Sequence, residues 1–260
     1  MAELLKNFPK ISSPFIRKIY TVNKADWKQH GSKLGLRSPE VYLVTPVVAE
    51  NMEWVFDKDT YAVEKLHGTN LCIDVQNNKL IRVQNRLNEI DFTKIRSKKY
   101  GLPPEARFLE GILNASDRGY VENNKIQYGE FIGPKMNGNM YQLDRPLWYP
   151  FTLARELLRY RSFNAHPKEF WGWCDWFRCA LHSLVYSKLH KMRPKDNVEI
   201  PFCEGIVIYK DSELDPDKAM VAKLRRDMFP WYYWDKMKIE GLDDFWLDYA
   251  NSQSLKVKGY

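Results

Sequence analysis

Apolar and polar residues alternate along several short stretches of the chain, the pattern of strands with one buried face. The alternation predicts strands at residues 61–66, 125–132, 204–209 and 220–225, and short strand-like runs predict further strands at 41–44, 71–75 and 79–84. Asn77-Asn78 lies between two of these stretches. Because asparagine tolerates left-handed backbone, we expect a hairpin turn there.

Helical spacing appears in two other stretches. Residues 104–114 begin with a proline and place Ala106, Leu109, Ile112 and Leu113 on one side. After Pro167, an apolar side chain recurs at helical spacing at Phe170, Trp173, Phe177, Leu181 and Leu184, which predicts a buried helix. Strands interspersed with helices predict an α+β fold. The aromatic residues after Asp227 are expected to close the core with a helix, and base stacking is the alternative.

Composition limits the class of protein. The chain has 260 residues, 44% hydrophobic and 14% aromatic, enough for one large domain or two small ones. Its formal charge of +7 suits a polyanionic partner, although many ordinary proteins are as basic. The four cysteines form no CxxC pair, so we expect reduced thiols rather than zinc. No signal peptide or membrane span is predicted, so we expect a soluble, intracellular, cytoplasmic protein with no membrane partner.

Candidate chemistry centres on residues 64–70, Glu-Lys-Leu-His-Gly-Thr-Asn. Lys65 falls at the end of a predicted strand, and Gly68 would allow backbone to approach a ligand closely. Such a lysine suits a nucleophilic or phosphate-binding role, but a Lys-x-x-Gly string is more often a surface lysine before a turn. Whether Lys65 is a functional lysine or a surface lysine before a turn depends on the residues found elsewhere in the chain.

Four further stretches carry candidate residues. Arg86 follows Lys65 by 21 residues, Glu130 lies within Tyr-Gly-Glu-Phe-Ile-Gly, and Glu204 begins Glu-Gly-Ile-Val. Alternation places Lys223 and Arg225 on one strand face, with two cations aimed at one spot. A basic cluster is either a solvated face or a contact for RNA phosphates; it contains Lys94, Arg96, Lys98 and Lys99.

In this order, the stretches resemble the motifs of ATP-dependent RNA ligases, in the branch with phage nick-sealing and kinetoplastid editing ligases. The resemblance implies that Lys65 carries AMP, that Glu204 holds the metal, and that Lys223 and Arg225 act on phosphates. Arg225 departs from the usual Lys-x-Lys, and Arg differs from Lys in geometry. The implied nucleotide-binding residues are Glu64, Lys65, His67, Asn70, Arg86, Glu130, Phe151 and Lys223.

The resemblance also implies an ATP-grasp-like nucleotidyltransferase domain of twisted antiparallel sheets, flanking helices and a nucleotide cleft. It would occupy residues 51–226, between an N-terminal extension at 1–50 and a short helical tail at 227–260. ATP and Mg²⁺ or Mn²⁺ are the expected cofactors, RNA 5′-phosphate and 3′-hydroxyl ends are the expected partners, and a monomer is expected. Because 35 residues follow Arg225, we expect no larger appended domain.

Alternatives remain for both the function and the adenine contact. Another nucleotidyltransferase, such as a DNA ligase or a GTP-using capping enzyme, usually has Asp at the position of His67. A non-catalytic RNA-binding relative should have lost some of the charged motif residues, and a basic structural protein would match the motifs only by chance. For stacking on adenine, Phe151 is preferred because its surroundings look strand-like, and Trp173 is the competitor.

Overall fold

The computed structural model describes residues 11–86, 88–92, 104–192, 198–211 and 219–257. The strands are β1 Phe15–Thr21, β2 Glu40–Val48, β3 Tyr61–Glu64, β4 Thr69–Gln76, β5 Lys79–Asn85, β6 Lys125–Ile132, β7 Leu147–Pro150, β8 Gly205–Lys210 and β9 Met220–Arg225. The α-helices are α1 Lys24–Asp26, α2 Pro104–Asp117, α3 Phe151–Leu157, α4 Phe170–Cys179, α5 Leu184–Leu189 and α6 Asp243–Val257.

Three antiparallel sheets organise these strands. The largest has the order β5-β4-β6-β7, a second has the order β3-β8-β9, and β1 pairs with β2. The predicted α+β class with antiparallel sheets is therefore confirmed. Most predicted strands are confirmed within a residue or two, because alternation along a half-buried strand is a local signal.

The chain folds into two compact units, each built from separate segments. Among the described residues, the first unit contains 66–159 and 182–203, and the second contains 11–65, 160–181 and 204–257. The chain passes from the second unit to the first directly after Lys65, returns to the second for residues 160–181, and enters it again at Glu204. The division at residues 50 and 226 that we expect from the sequence stays a prediction.

The core of the first unit forms around the four-stranded sheet. Asn77 and Asn78 have φ of 49° and 59°, which confirms the hairpin turn between β4 and β5. Trp148 of β7 is fully buried, and its indole N–H donates to the Leu71 carbonyl at 3.2 Å. Helix α2 turns Ile112 inward, but Leu113 is 55% exposed, so the predicted apolar face was wrong at that position.

The core of the second unit is rich in aromatic rings. Trp173 of α4 is fully buried and packs on Phe15 and Phe56, with ring centroids 5.7 and 5.2 Å away. The predicted buried helix is confirmed, but α4 ends at Cys179 because Ala180 leaves helical backbone (φ −137°, ψ −3°), and Leu184 starts a separate helix. Phe15 places β1 in this core.

The segment after Asp227 contributes both buried and exposed rings. Phe229, Trp231 and Tyr233 are buried, as a core-closing segment requires, whereas Trp234 is 63% exposed. Helix α6 packs Phe245 against Trp171, with ring centroids 5.4 Å apart. Within the described ranges, no helix combines the length and apolar character needed to cross a bilayer.

Candidate functional site

A lysine–carboxylate pair lies where β3 ends. Strand β3 pairs with β8 so that Glu64 stands opposite Ile206, and the Lys65 backbone N–H then donates to the Gly205 carbonyl at 2.9 Å. This register brings Lys65 Nζ to 2.6 Å from Glu204 Oε2. Their side chains are 21% and 15% exposed, so water screens the pair only partly.

Strand β9 adds two cations beside this pair. Arg225 stands opposite Gly205 and Lys223 opposite Val207, which puts both cations on one strand face as predicted. Arg225 Nη1 is 3.9 Å from Glu204 Oε1, and Arg225 Nε is 3.0 Å from Asp227 Oδ1. A Cβ on Gly205 would lie 2.2 Å from the Leu224 carbonyl oxygen, so this close strand pairing requires glycine.

The charges around Lys223 are mostly positive. Burial lowers the pKa of Lys223, as do the charges of Lys65, Arg225 and Arg17, and Glu204 opposes the shift. The Lys223 backbone N–H also donates to the Ser12 carbonyl at 2.9 Å, which places the start of the described chain alongside β9. A cluster of cations around one carboxylate can bind a polyphosphate.

Sequence reasoning missed Arg17. It lies on β1, pairs across the strand with Val44 of β2, and is exposed. Strand β2 in turn contacts the turn Arg226–Met228 that follows β9. In the sequence, nothing distinguishes Arg17 from any other arginine in a half-exposed strand. Its charge acts on Lys223 only because β1 and β2 pack beside β9.

The Glu204 carboxylate is the group by which this cluster could hold a metal ion. In the described part of the chain, no three His, Cys, Asp or Glu side chains come together as a metal site. Mg²⁺, however, is commonly held by one or two protein carboxylates, with substrate phosphates and water completing its shell. Glu204, close to cations that would bind the same phosphates, fits that mode.

A second group of motif residues lies in the first unit. Asn70 and Glu130 face each other across β4 and β6, and Asn70 Nδ2 donates to Glu130 Oε2 at 2.7 Å. The other carboxylate oxygen accepts the Gly68 backbone N–H at 3.0 Å. Glu130 is only 6% exposed. In this conformation, the carboxylate thus holds the turn that follows the lysine motif.

The role of Gly68 is a steric one within the first unit. A Cβ on this residue would lie 2.0 Å from the Phe131 carbonyl oxygen. Glycine is therefore required by the close approach of the turn to β6, whereas the sequence alone suggested close approach of a ligand.

The remaining predicted site residues have different settings. Glu64 is 1% exposed in the second unit, and Arg86 is exposed just after β5 in the first. Phe151 is the first residue of α3, so the predicted strand setting was wrong: β7 ends at Pro150, and the chain turns into a helix there. Phe151 is part-exposed, whereas Trp173 is fully buried and offers no open face to a base.

The basic cluster predicted at Lys94, Arg96, Lys98 and Lys99 lies outside the described residues. Its contact with RNA phosphates stays a prediction. His67, by contrast, is part-exposed in the first unit, and its backbone N–H donates to the Tyr141 hydroxyl oxygen at 2.9 Å.

Comparison with known proteins gives matches among solved structures only. No family model matches the sequence, and no curated protein matches it. A mutant of Naegleria gruberi RNA ligase with ATP and Mn is 14% identical over 88% of this chain and 63% of that chain, with a TM-score of 0.38. Naegleria gruberi RNA ligase with PPi is 13% identical over 87% and 63%, with a TM-score of 0.34. This chain thus spans less than two thirds of those chains.

Proposed function

We propose that the protein is an ATP-dependent RNA ligase that joins a 3′-hydroxyl to a 5′-phosphate through a lysyl-AMP intermediate. The observation that carries this proposal is the Lys65–Glu204 pair, with Lys223 and Arg225 beside it. A lysine at a strand end, one carboxylate and several cations are the groups that nucleotidyl transfer to an amine requires.

The first step is attack by the Lys65 amine on the α-phosphorus of ATP. Only a neutral amine has the lone pair for this attack, so Lys65 must give up one ammonium proton before it reacts. As the nitrogen–phosphorus bond forms, the bond to the β-phosphate oxygen breaks, and pyrophosphate leaves with that electron pair. The nitrogen then releases one of its two protons to water and keeps the other, which gives the phosphoramidate lysyl-AMP.

Negative charge shifts onto the phosphoryl and leaving oxygens during this step. We assign to Lys223 and Arg225 the stabilisation of that charge, because groups fixed in advance lose little free energy by reorganising. A divalent ion held by Glu204 and the phosphates would neutralise part of the same charge. The Asp227 carboxylate lies 3.0 Å from Arg225 Nε and adds a second negative charge beside the guanidinium.

The later steps transfer AMP to RNA. The RNA 5′-phosphate displaces Lys65, which forms an adenylated end, and the RNA 3′-hydroxyl then attacks that end and releases AMP. We assign His67, Thr69 and Asn70 to these steps. Glu130, Phe151 and Arg86 are assigned to the nucleoside and the phosphates, and Glu64 supports the lysine from the end of β3.

The test is incubation with α-labelled ATP and Mg²⁺, followed by denaturing electrophoresis. We expect covalent label on the wild-type chain, none on Lys65→Ala, and full label on Lys18→Ala, an exposed lysine on β1. Labelling of Lys65→Ala would overturn the assignment of the nucleophile. Preferential labelling by GTP would instead indicate a capping-type enzyme.

The RNA substrate is tested with matched nicks. The adenylated protein should seal a nick with an RNA 3′-hydroxyl strand faster than an all-DNA nick, because the 2′-hydroxyl is the group that distinguishes RNA. Equal rates on both nicks would favour a DNA ligase. Mn²⁺ in place of Mg²⁺ should support labelling, and chelation should abolish it.

A further inference from the structure

The turn at His67 and Gly68 is held by three side chains from one neighbouring segment of the first unit. The His67 N–H donates to Tyr141 Oη at 2.9 Å, and the Gly68 N–H donates to Glu130 Oε1 at 3.0 Å. The Gly68 carbonyl accepts from Asn137 Nδ2 at 3.0 Å. Three backbone groups of two successive residues are thus bonded to side chains, and Asn137 and Tyr141 belong to none of the motifs.

Tyr141 is itself fixed in place. It is 1% exposed, and its carbonyl oxygen lies 2.8 Å from His190 Nε2. Because a carbonyl oxygen can only accept, this contact requires the proton on Nε2. The His190 ring also packs on Tyr186, with centroids 4.3 Å apart. Tyr141 therefore presents its hydroxyl to His67 from a packed position.

Asn137 lies in a segment of unusual backbone. Lys135, Asn137 and Asn139 have φ of 63°, 42° and 49°, in the left-handed region that side chains other than Asn and Gly rarely adopt. Asn139 closes the segment, because its amide both donates to the Leu143 carbonyl and accepts the Leu143 N–H. Strained backbone of this kind persists where the surrounding structure enforces it.

We propose that Asn137 and Tyr141 are positioning residues for nucleotidyl transfer, because Tyr141 holds the Leu66–His67 peptide in one orientation and Asn137 holds the Gly68–Thr69 peptide. Their effect on chemistry rests on the proposed function. His67 follows the nucleophile Lys65 by two residues, so freedom in the Leu66–His67 peptide becomes freedom in the backbone next to the residue that carries the reacting amine. Loss of either side chain should slow the reaction at saturating substrate rather than weaken ATP binding.

Amide hydrogen exchange, measured residue by residue on the full chain, tests the holding itself. Tyr141→Phe keeps the ring and removes only the hydroxyl, so we expect exchange at His67 to rise by about tenfold. Gly68, whose N–H is bonded to Glu130, should stay protected. Unchanged exchange at His67 in Tyr141→Phe would overturn the proposal, whether or not the protein is a ligase.

The chemical effect is tested by single-turnover lysyl-AMP formation and transfer to RNA. Asn137→Gly removes the amide yet suits the left-handed backbone, and Asn139→Gly is a matched change in the same segment that leaves the contact with Gly68 intact. We expect Asn137→Gly and Tyr141→Phe to lower the maximal rate by roughly tenfold with little change in the ATP concentration for half-saturation.

The outcomes are distinguishable. If Asn137→Gly and Asn139→Gly lower the maximal rate equally, the rate depends only on the fold of the segment at residues 135–139. That result would overturn the positioning role of Asn137. Absence of lysyl-AMP in the wild type would instead refute the proposed function, and altered exchange at His67 in Tyr141→Phe would still establish the holding contact.

Discussion

Lys65 Nζ and Glu204 Oε2 lie 2.6 Å apart, although 139 residues separate them in the chain. A hydrogen bond between two charged groups at this distance is among the stronger polar interactions in proteins. The carboxylate also faces Arg225 Nη1 at 3.9 Å. Glu204 therefore offsets part of the mutual repulsion among Lys65, Lys223 and Arg225 in the second unit.

Glu204→Gln should destabilise the protein through the repulsion among these cations. The amide keeps the shape of the side chain but leaves Lys65, Lys223 and Arg225 without this carboxylate, so we expect the free energy of unfolding to fall by about 1–3 kcal/mol. Added salt should recover part of the loss. The measurement is denaturant unfolding at two salt concentrations. Glu110→Gln, which breaks an exposed pair with Arg145, is the control and should change little. An equally stable Glu204→Gln variant would contradict the ion-pair account.

Lys223 should give an alkaline limb to the rate of adenylation. Burial and the charges of Lys65, Arg225 and Arg17 lower its pKa below 10.5, so it loses its proton at a lower pH than a free lysine does. Between the lowered pKa and 10.5 the unfolded chain binds more protons, so the stability contributed by this group rises with pH in that window. Adenylation that needs the cation should decline over the same window.

Lys223→Arg tests this assignment, because arginine keeps its charge at those pH values. The alkaline decline should move to higher pH in the variant. The measurement is the second-order rate constant for lysyl-AMP formation at low ATP, which reports groups of the unbound enzyme. An identical alkaline limb in both proteins would assign the decline to another group.

Arg17→Ala should weaken the binding of ATP and pyrophosphate. Arg17 contributes to the positive field at Lys223, but it is exposed, so water and salt screen its charge. We expect the affinity for both ligands to fall by about tenfold or less, and the difference to shrink as salt is added. Lys18→Ala removes a charge from the next position on β1 and is the matched control. The measurement is calorimetric titration of both variants with pyrophosphate. Equal losses of affinity in the two variants would show that Arg17 acts only through the net charge of the protein.

Gly68→Ala should damage the first unit more than a glycine substitution in open space. The added Cβ would lie 2.0 Å from the Phe131 carbonyl oxygen, and a backbone oxygen cannot rotate away. We therefore expect the free energy of unfolding to fall by about 2–3 kcal/mol, or the variant not to fold. At Gly35, with φ of 72° and no atom within 4 Å, alanine faces only backbone strain of about 1 kcal/mol. Thermal unfolding of the two variants should rank them in this order.

Cys179 should be the fast-reacting thiol of the native protein. It is exposed, whereas Cys72, Cys174 and Cys203 are buried. Burial also raises the pKa of Cys72 to about 11, which keeps it in the unreactive thiol form at neutral pH. A chromogenic disulfide should label one thiol rapidly and the others on unfolding, and Cys179→Ser should remove the rapid phase. Rapid labelling that persists in this variant would show that a buried thiol becomes accessible.

The sequence predicts the strands that carry the candidate site residues better than it predicts which residues from other parts of the chain contact them. Alternation correctly places Lys65 after β3 and puts Lys223 and Arg225 on one face of β9, because side-chain direction along a strand depends only on local geometry. The same reasoning fails at Phe151, where an aromatic run enters a helix after Pro150. Local propensity is a weak guide at such an element boundary.

The residues that sequence reasoning missed depend on distant contacts. Arg17 acquires its electrostatic role from the packing of β1 and β2 beside β9, and Tyr141 reaches His67 across 74 residues of chain. Asn137 bonds to the Gly68 carbonyl from a turn whose left-handed backbone depends on its surroundings. Neither a lone arginine nor a loop tyrosine differs, in sequence, from many others without such a contact.

The 139-residue separation of Lys65 and Glu204 also sets an order of events during synthesis. At roughly 5–20 residues per second, the ribosome adds the carboxylate on the order of 10 s after the lysine. Strand β3 meanwhile lacks β8, its partner in the sheet, and closure of so long a loop is a slow, entropically costly step in folding. The nascent chain thus carries the Lys65 amine before it has Glu204, Lys223 and Arg225, so on the proposed function self-adenylation should begin only after β9 has left the ribosome. Ribosome-bound chains arrested before residue 204 should therefore take up no label from ATP.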